Sequence, residues 1–221
     1  MPLALITGTA RENSIAAGIV KRLVADGWTV ATSDLDHADF PADLSDPSAP
    51  ATLIRSVGSA HGPISALILS HAYDVESGIL DTSVESFDRH IAVNTRASLL
   101  LIREFARQVP ADGGAIVALT SDHTTGNLPY GASKGALDRI VISAARELAP
   151  LGISSNALNP GPIDTGWMND DVRATITADQ PAGRLGTPQD VAEYVAHLVS
   201  PAGRWVSGQL LHADGGYSAV Y

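Results

Sequence analysis

The sequence predicts a single α/β domain, in which a doubly wound parallel sheet of about seven strands carries helices on both faces. Two observations predict this fold class. Short apolar runs alternate with longer amphipathic stretches along the chain, as they do when helices cover both faces of a parallel sheet. The 221 residues are 45% apolar, which suits one domain with a sizeable core. Ligands of such a sheet bind beyond the carboxyl ends of its strands.

The first half of the chain holds four predicted strands and two predicted helices. A helix over 14–25 follows the first strand and ends near Gly27, because glycine readily adopts the left-handed conformation of a helix end. The polar turn Asp34-Leu35-Asp36 closes the second strand. A helix over 51–59 precedes the fourth strand. The segments predicted as strands are 3–6, 29–33, a short one at 42–44, and 66–69.

The second half of the chain continues the alternation. Helical spacing extends over 84–108, and Asn94 interrupts its apolar pattern. Residues 161–186 are rich in Gly and Pro, with a short helix from Asn169, and we expect a small substrate-side lid here within one domain that spans 1–221. The remaining predicted strands are 115–119, 153–158 and 209–213, and the remaining predicted helices are 130–148 and 187–199.

Composition and charge narrow the classes of partner. The formal net charge is -10, from 14 basic and 24 acidic residues, and such a surface repels nucleic acid and anionic lipid. The chain has no cysteine, which excludes disulfides and thiolate chemistry. Its seven histidines are scattered, so we expect no metal site. No apolar run approaches the ~18 residues of a membrane span, and the N-terminus lacks the pattern of a signal peptide. We therefore expect a cytoplasmic protein.

The turn after the first strand is a candidate phosphate site. It runs from Thr7 to Ala16 and contains one glycine, Gly8. A strand-to-helix turn directs free backbone N–H groups and the positive end of the helix dipole toward one point, where a pyrophosphate fits. Ser14 is small and can cap the helix. A strand–helix turn with no ligand remains the alternative at this point.

Asp34 and Arg11 bear on the choice between NAD and NADP. Asp34 ends the second strand, where a carboxylate can accept hydrogen bonds from the adenosine ribose and would repel a 2′-phosphate. Arg11 favours the opposite choice, because a guanidinium near that ribose could hold the phosphate. The carboxylate decides the prediction, which is NAD(H), with NADP(H) as the alternative. A solvated turn aspartate is the other interpretation of Asp34.

Tyr130 and Lys134 form a candidate proton-transfer pair. They lie four residues apart on a predicted helix, so their side chains share one face. The pKa of a free tyrosine is ~10, and we expect the Lys134 ammonium to lower the pKa of Tyr130. Lysine occurs only here and at Lys21, which suggests a specific need for an ammonium. A surface contact is the alternative.

Polar residues near this pair could assist the same chemistry. Ser121 follows the fifth predicted strand, and its hydroxyl could hold a carbonyl oxygen while Tyr130 moves the proton; Thr120 is the competing hydroxyl. Asn94 is unfavourable inside a helix unless its side chain has a partner, either a structural bond to a neighbouring strand or a water that leads to Lys134. Ser121 could also be an ordinary turn serine.

In their order and spacing, these residues resemble the short-chain dehydrogenase/reductase family over essentially the whole chain. Each motif is short, and the joint match is specific because the motifs follow one another at the spacing of the family. The motifs are Thr7-Gly8 with Ser14-Ile15-Ala16, Asp34, Asp43-Leu44, Asn94, Ser121, Tyr130-Gly131-Ala132-Ser133-Lys134, Asn159-Pro160-Gly161-Pro162-Ile163-Asp164-Thr165, Gly183-Arg184-Leu185-Gly186-Thr187-Pro188 and Asp214-Gly215-Gly216.

The resemblance implies a Rossmann fold and a set of four catalytic residues. Tyr130 would be the general acid/base, and Ser121 would position the substrate oxygen. Lys134 would lower the pKa of Tyr130 and bind the nicotinamide ribose, and Asn94 would support a proton-relay water. The resemblance also implies a homodimer or homotetramer, formed through the helices that carry 96–108 and 130–148.

The resemblance further implies which residues bind the cofactor. Asp43 and Leu44 look like the adenine contact, and the segment after Asn159 looks like the nicotinamide-side wall. The residues implied in cofactor binding are Gly8, Arg11, Ser14, Ile15, Asp34, Asp43, Leu44, Ser70, Tyr130, Lys134, Pro160, Gly161, Ile163 and Thr165.

Two branches of the family compete. The turn Gly8-x5-Ser14-Ile15-Ala16 resembles that of enoyl-acyl-carrier-protein reductases. Those enzymes place their lysine seven residues after the tyrosine, where this chain has Leu137, so the spacing of Tyr130 and Lys134 favours the carbonyl/alcohol branch, similar to 3-oxoacyl-ACP reductases. The family's Asn-Asn-Ala-Gly loop appears as Ser70-His71-Ala72-Tyr73, and Ser121 lies closer to Tyr130 than is usual.

We therefore expect an NAD(P)(H)-dependent oxidoreductase that transfers a hydride between nicotinamide and a small carbonyl/alcohol substrate. An enoyl-thioester reductase and a catalytically silent NAD-binding scaffold are the alternatives.

Overall fold

Six short apolar runs pair side by side as one parallel sheet in the computed structural model, which describes residues 1–123, 125–166 and 168–219. The predicted fold class, a doubly wound α/β sheet with helices on both faces, is confirmed. The strands are β1 (Leu3–Thr7), β2 (Thr29–Ser33), β3 (Ala66–Leu69), β4 (Gly114–Leu119), β5 (Ile153–Asn159) and β6 (Leu210–His212).

Seven helices in the described residues connect and cover these strands. They are α1 (Ile15–Ala25), α2 (Ala49–His61), α3 (Val84–His90), α4 (Ala97–Gln108), α5 (Leu128–Glu147), α6 (Asp170–Asp179) and α7 (Pro188–Val199). A π-helical segment, Ile91–Arg96, joins α3 to α4, so the predicted helix over 84–108 is continuous but locally widened. Short 3₁₀ turns span Ala149–Leu151 and Gly203–Trp205. No helix in the described part of the chain is long and apolar enough to cross a membrane.

The order of the strands places a crevice above β1. The sheet runs β2-β1-β3-β4-β5-β6, so the chain leaves β1 toward β2 on one side and returns to β3 on the other. The connections that follow β1 and β3 therefore diverge at this point of the carboxyl edge, which is where α/β sheets bind ligands.

Apolar side chains form one layer on each face of the sheet. The register places Leu5 beside Leu67 and Leu67 beside Ile116, and this row packs under α2, α4 and α5. The neighbouring positions Ile6 and Ile68 point the other way and pack against α1 and α7. The alternation of side chains along each strand thus buries both faces.

The predicted strand at 42–44 is wrong. Instead of forming a ladder, the segment before it folds back on the free edge of β2. The Phe40 N–H donates to the Thr32 carbonyl at 3.0 Å, and the Ala42 N–H donates to the Asp34 carbonyl at 2.7 Å. The Asp39 carboxylate accepts from the Thr32 N–H at 3.1 Å. β2 is the edge strand on this side of the sheet, and these bonds pair backbone groups that would otherwise have no partner strand.

Candidate active site

The carboxyl ends of β1, β3, β4 and β5 converge on one edge of the sheet and hold most of the predicted site residues. Gly8 follows β1, Ser70 follows β3, Ser121 follows β4, and Pro160 follows β5. Tyr130 enters the same edge from the first turn of α5. The local structure at each position decides what the residue can do.

The turn after β1 has the backbone that a phosphate group requires. Gly8 has a φ of +80°, and a Cβ atom there would lie 2.6 Å from the Ser70 carbonyl oxygen, so only glycine fits. The Ser14 hydroxyl caps α1 by accepting from the Ala17 N–H at 3.0 Å. Within the described residues, the N–H groups of Ile15 and Ala16 have no hydrogen-bond partner. They are available to an anion at the positive end of the helix.

Asp34 already binds the backbone on both of its oxygens. One oxygen accepts from the Ala10 N–H at 2.9 Å and the other from the Leu35 N–H at 2.7 Å. The carboxylate therefore holds the turn after β1 against the end of β2. Arg11 is exposed next to Ala10.

The predicted adenine contacts differ in burial. Leu44 is buried and belongs to the apolar layer under α2. Asp43 is exposed and accepts a hydrogen bond from the Ser45 N–H at 2.9 Å. Hydrogen bonds from the side chain and backbone of Ser45 hold the pKa of Asp43 below its ordinary value.

Lys134 lies beside the ring of Tyr130, as the helical spacing predicts. The Lys134 Nζ is 5.6 Å from the centroid of the Tyr130 ring. Lys134 is 2% exposed, and its ammonium donates to the Leu119 carbonyl at 2.9 Å. Burial lowers the pKa of Lys134 to about 8, against the opposing charges of Asp138 and Asp74.

The expected direction of the Tyr130 pKa shift is wrong. Burial raises the pKa of Tyr130 above its ordinary value, and the nearby Asp74 carboxylate raises it further. These two effects outweigh the attraction of the Lys134 ammonium, whose Nζ lies 5.6 Å from the ring centroid. The phenol therefore keeps its proton at neutral pH.

The two hydroxyls at the end of β4 point to different surroundings. Thr120 is buried, and its hydroxyl lies 3.5 Å from the Lys134 carbonyl oxygen. Ser121 is half-buried, and its hydroxyl oxygen accepts from the His123 N–H at 3.1 Å. Of the two residues, Ser121 is therefore the more exposed to solvent.

Asn94 sits in the π-helical segment and is fully engaged in structure. Its Nδ2 donates to the Tyr73 carbonyl and to the Ser133 hydroxyl, both at 2.9 Å, and its Oδ1 accepts from the Tyr73 N–H at 2.7 Å. The side chain is buried and ties the loop after β3 to α5. Its structural bond therefore goes to a loop rather than to a neighbouring strand.

His71 joins three parts of the site. Its Nδ1 is 2.7 Å from the Thr7 hydroxyl, and its Nε2 is 3.1 Å from the Val93 carbonyl oxygen. Burial and the Lys134 charge lower the pKa of His71 to about 3, so the ring is neutral. His71 thus links β1, the loop after β3 and the π-helical segment.

Two residues of the site escaped the sequence-based predictions. The Asp74 carboxylate accepts from the Asn127 Nδ2 at 2.7 Å, which joins the loop after β3 to the N-terminus of α5. Asp74 and Asn127 are 53 residues apart, so the sequence gives no sign that they meet. The one signal available was that Asp74 closely follows the end of a predicted strand.

The segment after β5 forms the opposite wall. Gly161 has a φ of +63°, and a Cβ atom there would lie 2.5 Å from the Asp214 Cβ, so glycine is required. Ile163 is buried and pairs with Gly186, whereas Thr165 is half-buried. The helix α6 that follows buries no side chain.

The described residues fit a dinucleotide. The turn at Gly8 leaves a cradle that a side chain would fill, and the first turn of α1 offers free N–H groups to a phosphate. No group of three or more His, Asp or Glu side chains within 1–123, 125–166 and 168–219 is placed to hold a metal ion.

Comparisons with known proteins agree with this geometry. The family described as enoyl-(acyl carrier protein) reductase matches residues 8–218. An uncharacterized oxidoreductase of Bacillus subtilis is 34% identical, over 97% of this chain and 96% of the relative. An NADPH-dependent aldehyde reductase-like chloroplastic protein of Arabidopsis thaliana is 37% identical, over 80% of this chain and 70% of the relative. A solved short-chain dehydrogenase/reductase from Serratia marcescens superposes with a TM-score of 0.90 and 28% identity, over 98% of each chain.

Proposed function

The chain belongs to the short-chain dehydrogenase/reductase family and is an NAD(P)-dependent oxidoreductase, and from that premise we propose that Tyr130 is the proton donor in the reduction of a small carbonyl substrate. The observation that carries this proposal is the pairing of Tyr130 with the buried Lys134 at the carboxyl edge of the sheet. When bound, the nicotinamide supplies or accepts the hydride.

The residues of this chain then divide the remaining work. The Ser121 hydroxyl donates a hydrogen bond to the substrate oxygen and holds it near Tyr130. The Tyr130 phenol gives its proton to that oxygen as the alcohol forms. The Lys134 ammonium, over the ring, stabilises the phenolate that is left. The raised pKa of Tyr130 supports this direction, because the phenol is protonated before the reaction. Asn94 acts through the Tyr73 backbone and Ser133, as a positioning residue.

The turn after β1 would hold the cofactor phosphates, and the segments around it would hold the rest. Ile15 and Ser14 would bind the pyrophosphate, and Ser70 the ribose side. Asp43 and Leu44 would contact the adenine. On the other wall, Pro160, Gly161, Ile163 and Thr165 would pack against the nicotinamide.

Replacement of Tyr130 by Phe tests the proposed function. We expect Tyr130→Phe to lower carbonyl reduction by ~10²–10⁴-fold while the protein still binds NADH, as followed by the fluorescence of the dinucleotide. Ser121→Ala should also lower carbonyl reduction while NADH binding is retained, but the loss of activity should be smaller. Equal turnover by wild type and Tyr130→Phe would exclude Tyr130 as the donor.

We propose that NAD(H) is the preferred cofactor. Asp34 places a carboxylate at the end of β2, and a 2′-phosphate beside it would be repelled. A relative is named NADPH-dependent, and Arg11 is the residue that could favour NADPH. The kcat/KM for NADH should exceed that for NADPH, and Asp34→Ala should reduce the difference. Arg11→Ala should weaken NADPH alone.

The matched family favours a second candidate, an enoyl-thioester reductase. The turn from Gly8 to Ala16 is the part of the site that supports it. Turnover of a 2-enoyl thioester, with none of a 3-oxoacyl thioester, would decide for this activity.

We further propose that the domain spans 1–221 and that residues 161–186 act as its lid, since α6 buries no side chain. Residue 167 of this segment, and residues 124, 220 and 221 of the domain, lie outside the described part of the chain. A homodimer or homotetramer in the cytoplasm completes the proposal. Exposed Leu99 on α4 supports association through that helix. Sedimentation tests the oligomeric state, and cell fractionation tests the cytoplasmic location.

A further inference from the structure

One carboxylate beside the proposed proton donor is fixed in place by α5. The Asp74 Oδ1 accepts from the Asn127 Nδ2 at 2.7 Å. Asn127 is 2% exposed and lies three residues before Tyr130. The Leu128 N–H also donates to the Ser77 carbonyl at 2.9 Å, so the loop that carries Asp74 is bound to the start of α5 at two points. Asp74 itself is exposed.

The charge of Asp74 is not paired within the described part of the chain. None of the ion pairs there includes Asp74. Arg89, a cation on the neighbouring helix α3, stacks over the Tyr73 ring at 4.9 Å instead. The charge nevertheless reaches the site, because it raises the pKa of both Tyr130 and Lys134.

The other ionisable groups near Tyr130 do not reverse the negative charge that Asp74 brings to this part of the site. Glu76 lies on the same loop, and Asp122 and His123 follow Ser121; all three are exposed. The buried Lys134 ammonium is bound to the Leu119 carbonyl and lies over the ring of Tyr130. The surroundings of Tyr130 thus carry three carboxylates, Asp74, Glu76 and Asp122, against two cations, Lys134 and Arg89.

We propose that Asp74 is a specificity-determining residue, which selects carbonyl substrates that carry a positively charged group and rejects those that carry a carboxylate or phosphate. This inference rests on the proposed function, because it needs the substrate oxygen at Tyr130. The free oxygen of Asp74 would accept a hydrogen bond from an ammonium group of the substrate. An anionic substrate would place a like charge beside it.

Three matched ketones test the proposal: a neutral alkyl ketone, an analogue that ends in an ammonium, and an analogue of equal length that ends in a carboxylate. Asp74→Asn removes the charge and keeps an oxygen that can accept from Asn127. A charge a few ångströms away in a partly solvated cleft changes kcat/KM by about five- to tenfold. We therefore expect Asp74→Asn to lower the ratio of kcat/KM for the cationic over the anionic ketone at least about 25-fold.

A neighbouring carboxylate provides the matched control. Glu76→Gln removes a charge from the same loop, and we expect it to change the ratio by less than twofold. The wild-type ratio should also fall as ionic strength rises, because salt screens a charge effect and leaves a purely steric one. A ratio that is the same in wild type and Asp74→Asn overturns the proposal.

The failure of the proposed function would give a different result. If no ketone is reduced, the proposed function fails and the selection is measured by calorimetric titration of the NADH-bound protein with the cationic and anionic ketones. Tighter binding of the cationic ketone, lost in Asp74→Asn, supports the inference. Equal affinities in both proteins overturn it.

Discussion

Acid should destabilise this protein through His71. The ring is buried and neutral, with its two nitrogens bound to the Thr7 hydroxyl and the Val93 carbonyl. Its pKa is about 3 in the folded protein, whereas an unfolded histidine has a pKa of ~6.5. Below that value the unfolded chain takes up a proton that the folded protein cannot take up, so stability is full above about pH 6.5 and falls as the pH approaches 3.

The size of the effect follows from this difference. Each pH unit below ~6.5 costs at most ~1.4 kcal/mol. Between pH 7.5 and pH 5.0, His71 should therefore remove about 2 kcal/mol from the free energy of unfolding. That is a large share of the ~5–15 kcal/mol typical of a domain.

Urea unfolding at the two pH values, followed by circular dichroism, measures this loss. His71→Asn removes the titration and keeps a polar amide, although it lowers stability at both pH values. The drop between pH 7.5 and 5.0 should be smaller in His71→Asn by about 2 kcal/mol. His37→Asn, a change at an exposed histidine, should leave the drop unchanged. If wild type and His71→Asn lose the same free energy, His71 is not the cause.

Three further outcomes are expected. Gly8→Ala would place a Cβ 2.6 Å from the Ser70 carbonyl oxygen, so dinucleotide affinity, measured by fluorescence titration, should fall at least about tenfold; unchanged affinity would contradict the cradle. Thr187→Ala removes a capping box with Asp190 and should lower the free energy of unfolding by ~1 kcal/mol, whereas Thr187→Ser should not. Asp74→Asn removes a charge that raises the pKa of both Tyr130 and Lys134, so the basic limb of the pH–rate profile for carbonyl reduction should move to lower pH, and a limb that stays in place would contradict this.

The periodicity of apolar residues predicted most of the helices and strands, but it gave a wrong strand at 42–44, where hydrogen bonds to β2 determine the structure. Strand 66–69 and the helix that ends at Val199 were predicted at their observed positions. The segment 42–44 is shorter and has Asp43 at its centre, and the connection before it lets Phe40 and Asp39 bind the edge of β2. The hydrogen bonds that a connection makes to a neighbouring strand are tertiary features, which an apolar pattern does not contain.

In the site, the spacing of residues along the chain was likewise predictable, whereas the burial of each side chain was not. The spacing of Tyr130 and Lys134 predicted their contact, since helical geometry fixes which residues share a face. The direction of their pKa shifts was not predictable, because it depends on how deeply each group is buried. The proximity of Asp74 to α5 likewise arises from the packing of two distant loops.

Burial changes what Lys134 contributes to the proposed chemistry. Desolvation favours the neutral form of both partners, which raises the pKa of Tyr130 and lowers that of Lys134 to about 8. The lysine therefore does not prepare a phenolate before the reaction. Its attraction for the phenolate appears only as the proton leaves Tyr130, in surroundings where opposite charges interact strongly. An interaction that forms in this way lowers the barrier rather than the ground state.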